Sequence, residues 1–360
     1  MRRVLVLLSA IVVVSSAASS AQQGSRALDI YWIDVEGGAA TLVVAPSGES
    51  MLVDTGYETD GRDARRIAAA AQQAGLTRLD HVVISHYHGD HVGGLAALST
   101  MIPIGRVYSR GDTIHAPADQ KWYESMRAVS AGKRTIVAPG DRIPLKGVEV
   151  LVVASDHRLL PAPVNGGGPN ALCAAAEQKA PAGPENQAGV GVLLTYNRFT
   201  FLNLIDFDWA TEMELACPVN KVGAVTLFQS NRHGAWNGAG APAFLGAIRP
   251  QVLVFNNGPR KGLGQVQEAR VITPPGVKVA PYEQNHYLRA ASLPGIEGIW
   301  QGHLSLLDKD PKHNTSPDMI ANFEETAECK GHWIRASVES GGQFTLMNGR
   351  NGYSRSYKAR

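Results

Sequence analysis

The segment Ile84-Ser85-His86-Tyr87-His88-Gly89-Asp90-His91 holds three imidazoles and a carboxylate in close succession and is followed by Gly93-Gly94. On a turn from strand to helix such side chains can converge on one point, and nitrogen and oxygen ligands of this kind suit zinc or a similar divalent ion. Gly89 lets the backbone bend tightly there. A polar surface loop with incidental histidines is the plainer alternative, and the complete HxHxDH arrangement favours the metal. A hydrolytic ion lowers the pKa of its water to about 7 and stabilises the oxyanion that develops on attack. The chemistry expected is therefore hydrolysis at an ester-like phosphorus or carbonyl centre, with Asp90 both ligating and orienting the nucleophile. No Ser-His-Asp or Cys-His set competes as a nucleophilic device, and no P-loop or dinucleotide glycine fingerprint is present.

The elements that must position these residues are short β-rich runs alternating with helical stretches. Strands are predicted at 28–35, 41–44, 51–54 and 80–85, with an alanine-rich helix over 62–74 between the last two. Later strands are predicted at 106–108, 148–154, 191–196, 200–205, 224–229 and 251–256, and helices near 118–131, 210–216 and 241–247. Consecutive strand pairs with interspersed helices predict an α+β chain in which two packed sheets carry helices outside, not a doubly wound parallel sheet. The stretch 155–188 is rich in Pro, Gly and Ala and too long for an ordinary connection, which marks it as a functional or covering loop. Two alternating segments, 332–338 and 343–347, flank Ser340-Gly341-Gly342 and read as a closing β-hairpin, with 329–357 as a structural cap.

The chain has 360 residues, 34 Lys+Arg, 32 Asp+Glu and 44% hydrophobic content, enough to bury a core and unlike a coiled coil or a disordered tail. Arg2 and Arg3 precede an apolar run over 4–14 and then small residues ending at Ala21, the three regions of a secretory signal peptide. Cleavage after Ala21 would leave 360 − 21 = 339 residues and, since the removed piece holds two Arg and no acid, 32 basic against 32 acidic residues. The expected organisation is a signal peptide over 1–21, a hydrolase domain over 22–300 and a β-rich extension over 301–360 packed on the same domain. The expected location is exported, periplasmic or secreted, with no membrane span left after cleavage. A neutral balance argues against strong nonspecific nucleic-acid binding, which relies on clustered Lys and Arg, so a small-molecule or ester substrate is preferred to nucleic acid. Three cysteines, Cys173, Cys217 and Cys329, permit one bridge with one thiol left over, and the pairing stays open.

At the histidine motif the chain resembles the metallo-β-lactamase-fold hydrolase superfamily. Asp34-Val35-Glu36-Gly37-Gly38-Ala39-Ala40-Thr41-Leu42, then Leu52-Val53-Asp54-Thr55-Gly56, then the HxHxDH look most like the metallo-β-lactamase domain of bacterial competence (DNA-uptake) proteins, over about residues 28–258. The resemblance implies a four-layer αββα sandwich with one or two metal ions at one edge of the sheets, Zn2+ first, with Mn2+ or Fe2+ as alternatives. It also implies the ligands His86, His88, Asp90, His91, Asp206 and His233. Asp206, ending 201–206, takes the bridging position, although Leu-Ile stands where the family has Thr-Gly before it. His233 matches the second histidine of a His-His-Gly, with Arg232 in place of the first. Asp54 falls where the family places a carboxylate supporting the histidine turn, a role such carboxylates play by orienting imidazoles, although a turn-forming Asp reads equally well.

The sequence departs from the family in one further place. Glu185-Asn186-Gln187 stands where many members supply a histidine, and none lies between His157 and His233, so the ion of His86 and His88 lacks a protein ligand unless His157 supplies it. That absence argues against a genuine β-lactamase. Flavin-linked di-iron members place an acid where this chain has His88, which argues against redox chemistry. Arg260 and Lys261, in 255–262 at the edge where sites lie, read as a solvated turn or as holders of an anionic oxygen. His303 and His313 carry no spacing argument. The alternative from a different class is a non-catalytic metal-binding module of the same fold.

Overall fold

The computed structural model describes residues 26–267, 269–325 and 329–360, so the expected signal peptide over 1–21 lies outside the described residues. The strands are β1 (Leu28–Trp32), β2 (Thr41–Val44), β3 (Ser50–Val53), β4 (Leu79–Ile84), β5 (Ile104–Ser109), β6 (Arg134–Ile136), β7 (Glu149–Ser155), β8 (Arg158–Leu159), β9 (Gly191–Tyr196), β10 (Phe199–Asn203), β11 (Leu227–Gln229), β12 (Val252–Phe255), β13 (Gly298–His303), β14 (Ile320–Asn322), β15 (Ile334–Val338), β16 (Gln343–Asn348) and β17 (Ser354–Lys358). The helices are α1 (Arg62–Gln73), α2 (Gly89–Val92), α3 (Leu95–Met101), α4 (Gln120–Val129), α5 (Pro184–Gln187), α6 (Trp209–Ala216), α7 (Pro242–Ile248) and α8 (His286–Ala291). A nine-stranded sheet, ordered β17-β16-β15-β1-β2-β3-β4-β5-β6, faces an eight-stranded sheet, ordered β14-β13-β12-β11-β10-β9-β7-β8.

Alternation along the strands explains why the sheets stack in this way, because successive side chains point to opposite faces. In β4, Val83 joins the core between the sheets while Val82 and Ile84 pack outward under α1 and α3 with Ile67, Leu95 and Leu98. In β12, Val252 and Val254 face inward, and Leu253 and Phe255 pack outward against Phe244 and Leu245 of α7. With both faces covered, these strands read as nearly continuous apolar runs. Three apolar layers thus separate four layers of secondary structure, the αββα sandwich. Within α1 the buried residues Ala64, Ile67 and Ala71 form the stripe that a helix needs to seat on a sheet.

Residues 301–360 contribute to both sheets. Strands β13 and β14 extend the second sheet by parallel pairing, while β15 pairs antiparallel with β1, and β16 and β17 continue outward. The expected closing hairpin is β15 and β16, and it covers the edge that β1 would otherwise expose to unwanted pairing. The 155–188 stretch contains β8 and α5 and is tied down by a Cys173–Cys217 disulfide, leaving Cys329 as a buried free thiol. Among the described residues no helix is long and apolar enough to cross a membrane.

Candidate metal centre

The histidine turn begins where β4 ends, and the parallel neighbour β3 delivers Asp54 beside it, since Val53 and Val83 are register partners. Asp54 is fully buried with a left-handed φ of 62°. Its Oδ1 accepts from the Ser85 N–H at 2.8 Å, and its Oδ2 takes the Ser85 hydroxyl at 2.7 Å and His91 Nδ1 at 2.8 Å. A carboxylate can only accept, so His91 carries a proton on Nδ1 throughout, and Nε2 becomes its ligand atom once an ion displaces the second proton, which, against burial, the Asp90 and Asp206 charges hold there in the metal-free protein. Packing of the following helix requires Gly94, where a Cβ would lie 2.1 Å from the Thr55 carbonyl oxygen.

The second sheet supplies the rest. Asp206 follows β10, His233 follows β11 and Lys261 follows β12, at the same ends of three mutually parallel strands. His91 Nε2 lies 3.2 Å from Asp90 Oδ2 and 3.5 Å from Asp206 Oδ1, and His233 Nε2 lies 3.5 Å and 3.3 Å from the same two atoms. One ligand atom from each of Asp90, His91, Asp206 and His233 falls within 4.8 Å of all the others. Nε2 of both histidines and Oδ1 of Asp206 are buried without a hydrogen-bond partner. Buried polar atoms are normally satisfied, and convergent lone pairs on two imidazoles and two carboxylates are what a divalent cation takes. The Asn256 side-chain amide nitrogen lies 3.1 Å from His233 Nδ1, and exchanging the N and O of that amide, whose Oδ1 is otherwise buried without a partner, would make the imidazole nitrogen the proton carrier, as at His91.

His86 and His88 stand beside this cluster and face each other, Nε2 to Nδ1 at 2.9 Å. Two of the residues considered for a third ligand there are engaged elsewhere. Glu185 is engaged by the Tyr87 N–H at 2.7 Å and by the Arg110 guanidinium, while His157 is an exposed residue set 3.3 Å from His115. Asn186 is buried with its Oδ1 unpartnered. Of the two basic residues after β12, Arg260 is exposed and pairs with Glu325, whereas Lys261 reaches inward, ion-pairing with Asp90 Oδ2 and meeting the Tyr57 hydroxyl at 3.0 Å. Neither His303 nor His313 joins the cluster. His303 bonds Asp34 at 2.7 Å in a separate buried group with Cys329 and Arg66, and His313 pairs with Asp308.

Burial opposes ionisation of Asp90 and Asp206, yet the positive neighbours prevail. His91 and Lys261 hold Asp90, and His233 and His91 hold Asp206, well below the usual carboxylate range. Burial, reinforced by His91 and His88, keeps His86 neutral as a ligand must be. The chain is strained around these groups, with left-handed φ at Ile205 (57°), Arg232 (49°) and His233 (54°), a pattern that clusters at functional sites. Behind the ligands, Gln229 Oε1 accepts from Trp32 at 2.9 Å and Thr41 at 2.7 Å on the facing sheet, and so locks the two sheets together at the site edge. Gln229 and the inward course of Lys261 carry no local sequence signal, because both depend on which strands face each other.

Comparison with known proteins agrees with this geometry. Residues 33–177 match the metallo-beta-lactamase superfamily model. Ribonuclease Z of Methanopyrus kandleri is 29% identical over 117 residues, 32% of this chain and 39% of that protein. A hydroxyacylglutathione hydrolase of Xanthomonas euvesicatoria pv. vesicatoria is 32% identical over 100 residues, 27% of this chain and 36% of that protein. The chain therefore spans well under half the length of these curated relatives. Among solved structures, the metallo-beta-lactamase fold protein YhfI from Bacillus subtilis is 11% identical with a TM-score of 0.43, covering 76% of this chain and 95% of that one. Residues 33–177, which carry the histidine turn, are thus similar to the metallo-beta-lactamase superfamily, and the two packed sheets around them have the αββα arrangement of its fold.

Proposed function

We propose that this protein is an exported metal-dependent hydrolase acting on an ester-type bond, phosphodiester or lactone-like, with Zn2+ as the first choice of ion and Mn2+ or Fe2+ as alternatives. The observation that carries the reading is the set of buried, convergent and unpartnered donor atoms on His91, His233 and Asp206 beside Asp90. A divalent ion held there supplies an acidified water and charge to stabilise an oxyanion. The chain's own residues do the rest. Asp54 keeps a proton on His91 Nδ1 so that its Nε2 faces the ion, Asn256 backs the His233 ring at Nδ1, and Asp90 is positioned to orient the nucleophile. Lys261 pairs with Asp90 Oδ2, the oxygen that faces both histidines, and so holds that carboxylate in place. That the relatives bear the names of hydrolases supports the reaction class, and the motifs around Asp34 and Asp54 support kinship with the competence-type domain. A non-catalytic metal-binding role is the second reading, favoured by the engaged Glu185 and by Arg232 in place of a histidine.

The test is a metal-replete activity panel of phosphodiesters, lactones, amides and β-lactams on residues 22–360, with His88→Ala and Asp90→Ala as blanks. Turnover lost in both variants, with their circular dichroism unchanged, supports the proposal. Stoichiometric metal with no cleavage of any substrate favours the binding module, and normal turnover by the variants refutes the site.

A further inference from the structure

The ends of β10, β11 and β12 opposite the metal centre enclose a cleft of about 480 Å³ whose rim carries Arg198, Arg249 and Arg360. Its floor is polar and buried, with Thr200, Thr226 and Gln251 all below 8% exposed. Because the three strands run parallel, these floor residues lie at or just before the starts of the strands whose far ends deliver Asp206, His233 and Asn256. Gln251 and Asn256 are five steps apart along the strand, about 17 Å at 3.3 Å per step, so the cleft is a site apart from the metal centre.

Among the described residues the Arg198 and Arg249 side chains make no hydrogen bond, ion pair or ring contact, and the cleft lining contains no acidic residue. Arg360 is partly neutralised by Glu297 at 2.8 Å. Both free arginines are placed by constrained backbone. Arg198 sits in the two-residue turn between β9 and β10, after Asn197 with φ of 53°. Arg249 ends α7 in the left-handed region (φ 40°, ψ 58°), where glycine or asparagine costs less. On the floor, each threonine hydroxyl oxygen accepts from the other's backbone N–H, at 2.9 Å and 3.3 Å. Gln251 donates its amide to the Lys358 carbonyl and keeps a buried Oε1 with no partner.

We propose that this cleft binds a small organic phosphate monoester. A phosphate dianion offers three equivalent oxygens and so engages guanidinium forks arriving from two different elements, whereas a single carboxylate is filled by one bidentate fork. The Gln251 Oε1 accepts a hydroxyl from the organic part. The volume suits a small ligand.

Isothermal titration with glycerol 3-phosphate tests this, with acetate and sodium chloride at matched ionic strength as controls. The expected result is saturable binding near 1 mM or tighter, retained in EDTA-treated protein, and about tenfold weaker for each of Arg198→Gln and Arg249→Asn. Asparagine is chosen because it tolerates a left-handed φ. Absence of saturable binding, equal response to acetate, loss on EDTA treatment, or unchanged affinity in the Arg198→Gln/Arg249→Asn double variant overturns the proposal.

Discussion

Replacing Asp54 with asparagine isolates what a carboxylate behind the ligands contributes. The side chain is fully buried, and its neighbours, the Ser85 N–H at 2.8 Å, the Ser85 hydroxyl at 2.7 Å and His91 Nδ1 at 2.8 Å, all require it to accept. Asparagine has nearly the same shape and tolerates the left-handed φ of 62° at this position, so the fold is expected to survive. With its oxygen kept on the Ser85 N–H, the amide nitrogen becomes a donor toward the imidazole. A neutral His91 must then accept at Nδ1 and keep its one proton on Nε2, the atom aimed at Asp90 and Asp206. A proton there blocks coordination. Loss of such outer partners typically weakens metal binding 10–100-fold, which corresponds to about 1.4–2.7 kcal/mol. Burial pushes the Asp54 carboxyl up from its ordinary value, so the neutral replacement loses no favourable charge in the metal-free protein. The metal-free melting temperature should move by only a few degrees. Chelator-competition titration with Zn2+ reads the affinity, and melts with and without metal separate folding from binding. Wild-type affinity in Asp54→Asn would refute the tautomer argument, and so would an equal loss of stability in the metal-free state.

Three further outcomes are expected. Glu212, buried on α6 under the Gly240 and Ala241 N–H groups and Asn231, is pushed up by burial from 4.5 to about 7. The folded protein therefore binds this proton more tightly than the unfolded chain, so the group's stabilisation is complete below about pH 4.5 and is lost as pH rises through about 7, up to about 3 kcal/mol. Urea unfolding across that range should show a shallower decline for Glu212→Gln, and parallel slopes would count against the assignment. The Cys173–Cys217 bridge closes a separation of 44 residues, worth up to about 4 kcal/mol by loop entropy; Cys173→Ser/Cys217→Ser should lose several kcal/mol, and a loss under about 1 kcal/mol would sink that estimate. At Gly262, φ is +85° and a Cβ would lie 2.1 Å from the His233 carbonyl oxygen. Gly262→Ala should shift the His233 turn and weaken Zn2+ binding measured by the same titration, and unaltered binding would show that the turn does not depend on this contact.

Much of this protein is legible in the sequence because the relevant signals are local. The ligands on the β4–α2 turn lie a few residues apart, so their convergence follows from one turn, and the nearly continuous apolar runs of β4, β10 and β12 foretell sheets buried on both faces. Asp206 and His233 are visible only through the family resemblance, since nothing in their spacing from residue 86 draws them together. Tertiary structure alone decided the remainder. Tertiary pairing set β15 beside β1 across some 300 residues of chain, bringing Asp34, His303 and Cys329 into one buried group. It turned Lys261 inward on Asp90 and Arg260 outward on Glu325, although the two are adjacent. It also gathered Arg198 and Arg249 over a common cleft. The physical reason is the same in each case. Strand partners are chosen by complementary buried faces and by covering of open edges, and these depend on the whole sandwich, so residues far apart acquire neighbours that no local pattern encodes.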